Sequence, residues 1–384
     1  MQSDLADTFT SRGNKFWHHP EALEGLRNGK PRPVVSHIML TDVCNHRCAF
    51  CSVQSRDGQS LSPGVVTGYV AQLKPLGLKA VILSGGGNPI LYKNGGWDFN
   101  DAVDFLHGEG LEIGLITNGM PLTQQGGSAE HHFADGPPRK SWKNVRPQTL
   151  DKLTWIRISM AGLDHKENEV FVPEVDPSKT TLGFSYVAHD IYDVPEEPHH
   201  GKVSTQEDLD RGGWNPRSTR TFESRIPELT EQFRAIVAAH QPRYIRLLPN
   251  CLEPSLISRR CEQLQEIAER VDPTVLFVQH KPPAPPENCW LGYLHPVLNC
   301  DGFVYPCDSC VLNKDAHHKF AVPWRICHWN DIGALYSKPA HSLIKDTKKL
   351  CPGCVFTRSN ELLQAVVDGG TIPTPVPVEH PNFV

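Results

Sequence analysis

The sequence predicts an α/β protein: a partial (β/α)6 TIM-like barrel followed by a small cysteine-rich domain. Three observations carry this reading. Short, nearly continuous apolar runs alternate with helical patterns from Val34 to Val278, as expected of parallel strands covered by helices. About six such units can be counted, fewer than the eight of a complete barrel. The run Lys281-Pro-Pro-Ala-Pro-Pro286 then breaks the pattern as a stiff linker, and seven of the twelve cysteines lie beyond it.

Four segments follow from this: an N-terminal extension (1–32), the barrel (33–280), the cysteine-rich domain (281–368) and an extended, poorly packed tail (369–384). The extension contains one amphipathic helix over Pro20–Arg27, with proline near its start. The first strand is Val34–Leu40, and the helix after it, Ser62–Leu76, has Ser62 as N-cap and Pro63 at its first position. Ala80–Leu83 is a buried strand running into Ser84-Gly85-Gly86-Gly87-Asn88-Pro89. A helix near Asn100–His107 leads to strand Glu112–Ile116, which ends in Thr117-Asn118-Gly119. After a polar insertion over Thr123–Asn144 come a short helix at Gln148–Leu153 and strand Trp155–Ser159. Strand Thr181–Val187 precedes a second insertion, His189–Arg220. Helix Glu223–His240, strand Tyr244–Leu248, helix Leu256–Val271 and strand Thr274–Val278 complete the barrel.

The composition is that of an ordinary soluble globular chain, with 39% hydrophobic and 21% charged residues. No apolar run reaches membrane-spanning length, and the polar, mixed-charge first thirty residues do not read as a signal peptide. The expectation is a cytoplasmic protein (host cytoplasm if phage-encoded) with no membrane partner. In that compartment its cysteines read as metal ligands rather than disulfides. A net charge of −5 with no long basic run disfavours a nonspecific grip on a nucleic-acid backbone, while leaving action on a base open.

Cys44-Asn-His-Arg-Cys48-Ala-Phe-Cys51 leaves the C-terminal end of the first strand with three thiols spaced CxxxCxxC. Iron–sulfur clusters normally take four cysteine ligands, so three leave one iron open for chemistry. A structural zinc site is the alternative, and it fits poorly because zinc motifs usually pair two half-sites; His46 would have to serve as the fourth ligand. The segment resembles the cluster loop of the radical S-adenosylmethionine (SAM) superfamily, whose aromatic position is filled here by Phe50. That resemblance implies a [4Fe–4S] cluster bound by Cys44, Cys48 and Cys51, with SAM on its open iron. Gly85-Gly86-Gly87 resembles the family's SAM-amine element, with Asn88 standing where glutamate is frequent. Asn118 and Ser159 occupy strand ends where family members contact SAM. A glycine run by itself is weak evidence, and Asn and Ser are also ordinary turn residues.

Beyond the linker, Cys289, Cys307, Cys351 and Cys354 are spaced C-x17-C-x43-C-x2-C. Four thiols can close a full coordination shell, and Asp301-Gly302 reads as the turn of a hairpin over Asn299–Pro306. The spacing resembles the twitch form of the SPASM extension, which implies an auxiliary [4Fe–4S] cluster. Zinc is the alternative for the C-x2-C pairs. Cys300, Cys310 and Cys327 are further possible ligands, and Cys300 could replace Cys289. Cys251 and Cys261 read as buried bystanders.

The resemblance implies reductive cleavage of SAM to methionine and a 5′-deoxyadenosyl radical that abstracts a substrate hydrogen, with electrons from a donor such as flavodoxin or ferredoxin. The expected substrate is compact and polar, bearing an amine or carboxylate, and the outcome an isomerisation or dehydrogenation, as in the twitch-containing dehydrogenases of aminoglycoside pathways. Tyr186 and Arg246 are the catalytic candidates: the first as hydrogen donor or mere wall, the second because a buried Arg, like Arg157, needs a carboxylate partner, which SAM, the substrate or a structural ion pair could supply. His131, His132, His199, His200, Trp214, Arg217 and Arg220 of the two insertions could grip an anionic substrate. Three other classes stand beside this one. One is rearrangement of an amino-acid-modified thymine in phage DNA, since Phe16-Trp-His-His-Pro-Glu21 with Leu26 and Gly29-Lys30 is similar to the lead-in of such radical SAM proteins. A peptide maturase is disfavoured, because nothing before Val34 is long enough for a leader-peptide-binding domain. The last is a non-enzymatic zinc or iron–sulfur scaffold.

Overall fold

The computed structural model describes residues 5–11, 13–46, 48, 50, 51, 53, 56–119, 142, 144–164, 169–192, 219–280, 284, 286–308, 322–351 and 354–384. Seven strands stand in chain order: β1 (Val35–Ile38), β2 (Ala80–Leu83), β3 (Glu112–Thr117), β4 (Trp155–Ser159), β5 (Thr181–Ala188), β6 (Tyr244–Pro249) and β7 (Leu276–Val278). Each pairs in parallel with the next. All seven coincide with the apolar runs read from the sequence. They are short and buried on both faces, which is what makes such strands legible.

Before the sheet come α1 (Leu5–Phe9) and α2 (Pro20–Arg27), the latter with proline in its first turn. The crossovers carry α3 (Pro63–Leu73), α4 (Phe99–Gly108), the short α5 (Pro147–Leu150), α6 (Phe222–His240) and α7 (Ile257–Val271). The Ser62 hydroxyl accepts from the Val65 N–H at the start of α3, and Asp98 and Asp101 form a capping box at the start of α4. Between β4 and β5 the described chain makes only the 3-10 turn Met160–Asp164.

The sheet does not close into a barrel among the described residues. The outer edge of β1 pairs in parallel with β8 (Val297–Leu298), which continues antiparallel into β9 (Phe303–Tyr305) and β10 (Cys327–His328). The hairpin beyond the proline run therefore extends the same sheet. Its turn is at Asp301-Gly302, where Gly302 adopts φ +80°, a conformation costly for residues with a Cβ. Ala284 of the proline run forms a bridge with Cys354. A last helix, α8 (Thr357–Val367), was not anticipated; it packs against α2.

The tail corrects an expectation. Its backbone is irregular, but it is not poorly packed: Phe383 and Val384 are buried. The Phe383 ring meets Trp155 edge-on at 5.2 Å, Asn382 donates to the Glu112 carboxylate (2.6 Å), and the Val384 carbonyl lies 2.7 Å from His295 Nδ1. Together with α1, whose Phe9 stacks on Tyr244 at 4.3 Å, these residues cover the N-terminal end of the strands. An aromatic surrounded by apolar groups gains about 1.5–3 kcal/mol from burial, enough to hold a few otherwise irregular residues.

Side-chain alternation separates a helix-facing side from an inner side. Ile156 and Ile158, Phe184 and Tyr186, and Ile245 and Leu247 join the core under the helices. Arg157 and Ser159, Gly183 and Ser185, and Arg246 and Leu248 take the alternate positions and face inward.

Candidate active site

The first cysteine loop is held from both sides. On one side Thr41 bridges Ser60 and the Asp42 N–H donates to the Gln59 carbonyl at 3.0 Å. On the other, Gly87 and Asn88 donate their N–H groups to the carbonyls of Thr41 (2.9 Å) and Val43 (2.8 Å). A Cβ at Gly87 would collide with the Val43 carbonyl, so this glycine is required by the chain's own cysteine loop. Gly85 and Gly86 adopt φ +77° and +60°, with Met39 and Thr41 packed against them. Asp42, fully buried, accepts from the Asp57 N–H at 3.2 Å.

Cys44, Cys48 and Cys51 are half-buried and not in disulfides. Burial raises the pKa of Cys44 and Cys48, and for Cys48 the neighbouring Cys51 and Cys44 raise it further. Among the described residues, no three Cys, His, Asp or Glu side chains are already drawn to metal-binding spacing. The Arg56 guanidinium, missed in the sequence reading, donates to Cys51 Sγ (3.2 Å), the His46 carbonyl (3.0 Å) and the Gly86 carbonyl (3.1 Å). It ties the loop to the glycine run and sets a positive charge beside thiols that must ionise to ligate a metal. The donor set and its electrostatics fit a cluster held by three cysteines.

A network of neutral amides joins the next two strand ends to this loop. Asn88 Nδ2 donates to Asn118 Oδ1 (2.7 Å) and Asn45 Oδ1 (3.3 Å). The Thr117 hydroxyl donates to Asn88 Oδ1 at 2.7 Å. Asn118 Nδ2 donates to Asn45 Oδ1 (3.0 Å) and lies 3.9 Å from Cys44 Sγ. Asn88 thus fastens the cysteine loop through Asn45, a partner the sequence did not reveal. Ser159, the last residue of β4, lies level with Ser185 on β5, and Ser185 level with Arg246 on β6.

Phe50 meets the His189 ring edge-on at 4.7 Å. His189 Nδ1 lies 2.9 Å from the Val187 carbonyl and Nε2 lies 3.7 Å from Asp164 Oδ2. Asp164 pairs with Arg225, both buried, and its charge reaches Cys48. The Tyr186 hydroxyl donates to Asp164 Oδ1 (2.9 Å) and accepts from Arg225 Nη1 (3.1 Å). Tyr186, read as hydrogen donor or wall, has its hydroxyl engaged by this pair. Its ring lies on the helix side against Phe222 and Phe233, and burial, followed by the Asp164 charge, holds its phenol well above the ordinary pKa.

The four later cysteines also gather. Burial and the charges of Cys307, Cys354 and Cys351 push Cys289 well up, and Cys351 and Cys354 rise to about 11, each first by burial. Trp324 Nε1 donates to Cys351 Sγ at 3.1 Å. Met39, Val53 and Cys51 of the first loop share one apolar cluster with Cys289, Cys307, Cys351 and Trp324. Cys300 packs instead into the main core, as does Cys327 at its margin. Cys310 lies outside the described residues, as do His131, His132, His199, His200, Trp214 and Arg217 of the insertions. The second insertion is rooted on a two-stranded ladder, Ile191–Tyr192 with Thr219–Arg220, and Arg220 pairs with Glu228.

No described helix is long and apolar enough to cross a membrane. Residues 38–135 match the Radical SAM superfamily. An S-adenosylmethionine-dependent nucleotide dehydratase of Selenomonas ruminantium is 29% identical over 83 residues, which is 22% of this chain and 29% of that protein's length. Among solved structures, Streptococcus suis SuiB bound to its precursor peptide SuiA is similar with a TM-score of 0.44 and 12% identity, covering 77% of this chain and 64% of SuiB. BtrN in complex with AdoMet and 2-DOIA is similar with a TM-score of 0.40 and 13% identity, covering 85% and 92%. The CxxxCxxC loop leaving β1 of the parallel α/β sheet lies inside the residues that match the Radical SAM superfamily.

Proposed function

We propose that this enzyme uses SAM to abstract a hydrogen from a compact polar substrate bearing an amine or carboxylate, free or attached to a nucleotide, leading to isomerisation or dehydrogenation. The observation that carries the reading is the CxxxCxxC loop, with Cys44, Cys48 and Cys51, leaving the C-terminal end of β1 in a parallel sheet and hydrogen-bonded to the glycine run after β2. They would hold the cluster, with Phe50, Gly85, Gly86, Gly87, Asn88, Asn118 and Ser159 around the SAM that completes it. Once bound, that pair supplies reductive cleavage of SAM to methionine and a 5′-deoxyadenosyl radical. The chain's own residues orient and exclude. Arg56 and the Asn45–Asn88–Asn118 network fix the loop, and the residues packed over the N-terminal strand ends keep water from that end. Cys289, Cys307, Cys351 and Cys354 would hold an auxiliary [4Fe–4S] cluster, and a flavodoxin or ferredoxin would supply electrons.

The name of the Selenomonas relative favours a substrate attached to a nucleotide, modified thymine included. The test is anaerobic incubation of reconstituted protein with SAM, reductant and candidate pools, read by mass spectrometry. Deoxyadenosine with a redox-neutral product indicates an isomerase, and loss of two mass units a dehydrogenase. Turnover only on duplex DNA carrying modified thymine selects the nucleobase substrate. Turnover only on a ribosomal peptide overturns the proposal, and so does stoichiometric zinc without a visible absorption band.

A further inference from the structure

We propose that Arg246, backed by Arg157, is the anchor for a carboxylate or phosphate oxyanion of the substrate, held on the inner face of the sheet. This rests on the function proposed above and names the charged end of its substrate. Both arginines lie on the inner side of strands that flank β5. Arg157 is level with Gly183, and Arg246, one inward step nearer the strands' C-terminal ends, is level with Ser185. Gly183 leaves the space between them to the Tyr244 ring, and the Ser159 and Ser185 hydroxyls lie in the same row as Arg246.

Among the described residues neither arginine forms an ion pair with a carboxylate, whereas Arg225 and Arg260 do. The Nε atoms of Arg157 and Arg246 are buried with no hydrogen-bond partner among the described residues. Arg157 lies 5.6 Å over the Trp155 ring and hydrogen-bonds the neutral Tyr244 phenol, which brings no compensating charge. The carboxylate whose charge reaches Arg246 is that of Asp308, and it stands 3.9 Å from His37 Nδ1. Burial, then the charge of Arg157, lowers Arg246 to about 9, and burial with Arg157 likewise lowers Lys15 to about 7. A half-buried guanidinium whose Nε–H is buried without an acceptor is costly, and its fork matches a bidentate oxyanion. A structural arginine would have its carboxylate in place, as Arg225 has Asp164 and Arg260 has Asp190.

The experiment uses full-length reconstituted protein, with inorganic phosphate and N-acetylglycine as probes, in the presence and absence of SAM. Expected are thermal stabilisation by at least one probe, about tenfold weaker binding of that probe in Arg246→Met, and partial recovery in Arg246→Lys. The tighter probe names the source of the oxyanion. SAM affinity in Arg246→Met should match the unsubstituted protein, and its melting temperature should not fall, since an unpaired buried charge has been removed. Equal probe binding in Arg246→Met would overturn the proposal. A lost SAM affinity would overturn it too, assigning Arg246 to the carboxylate of SAM, and a melting temperature lowered by several degrees would assign it to an internal ion pair. No SAM binding by the unsubstituted protein refutes the function proposed above, whereas SAM binding without any response to either probe refutes this anchor alone.

Discussion

Replacing Arg225 with Met removes the cation that neutralises Asp164 beneath the cysteine loop. Both side chains are nearly inaccessible, at 2% and 4% exposure, so water cannot take the cation's place. Removing one partner of a buried pair costs about 3–5 kcal/mol, because the remaining charge is stranded. The Tyr186 hydroxyl loses a donor as well, worth about 1 kcal/mol. The substitution should therefore lower unfolding free energy by roughly 4 kcal/mol. The combined Asp164→Asn, Arg225→Met variant should lose clearly less than the two single losses added, since no charge is then stranded. Urea unfolding followed by near-ultraviolet circular dichroism, on protein with and without iron, gives the three free energies. Iron retention should fall in Arg225→Met, because Asp164 lies against His189, which packs on Phe50 in the loop. A loss below about 1 kcal/mol for Arg225→Met, or strictly additive losses, would refute the view of this pair as a desolvated support.

Reconstituted protein should carry about eight irons, and Ala at Cys44, Cys48 and Cys51 together should remove about half and abolish deoxyadenosine formation, as read by iron assay and chromatography. Cys351→Ala should lose the second half while Cys300→Ala keeps it; the reverse pattern would show that the later ligand set is misassigned. Gly87→Ala should prevent cluster assembly at the first loop, read from the visible absorption band, because its methyl group displaces the Val43 carbonyl. His19 and His380, both lowered to about 4 chiefly by burial, stay neutral when folded. The unfolded chain binds the extra protons, so stability should decline as pH falls from 6.5 towards 4, by roughly 3 kcal/mol per fully buried histidine at most. Tryptophan fluorescence during acid titration checks this, and a flat profile across that window contradicts it.

The parallel strands were legible because each is a short apolar run closed by turn residues, and the loops they feed were legible because cysteines and glycines carry strong spacing signals. What escaped depends on packing across the chain. Arg56 and Asn45 are ordinary loop residues until hydrogen bonds formed in three dimensions give them roles. The tail reads as exposed because its prolines dominate the composition, yet Asn382, Phe383 and Val384 pack its end against the strands. The side of the sheet that Tyr186 takes was legible: in Gly183-Phe184-Ser185-Tyr186 the small residues alternate with the aromatic ones, so the tyrosine falls on the helix side.

β1 feeds the first group of thiols, and β8, its hydrogen-bonded neighbour, turns through β9 towards Cys307. Among the described residues the two groups of thiols thus hang from neighbouring rungs of one ladder. Met39, Val53 and Cys51 share an apolar cluster with Cys289, Cys307 and Cys351, so a side chain enlarged beside one group presses directly on the other.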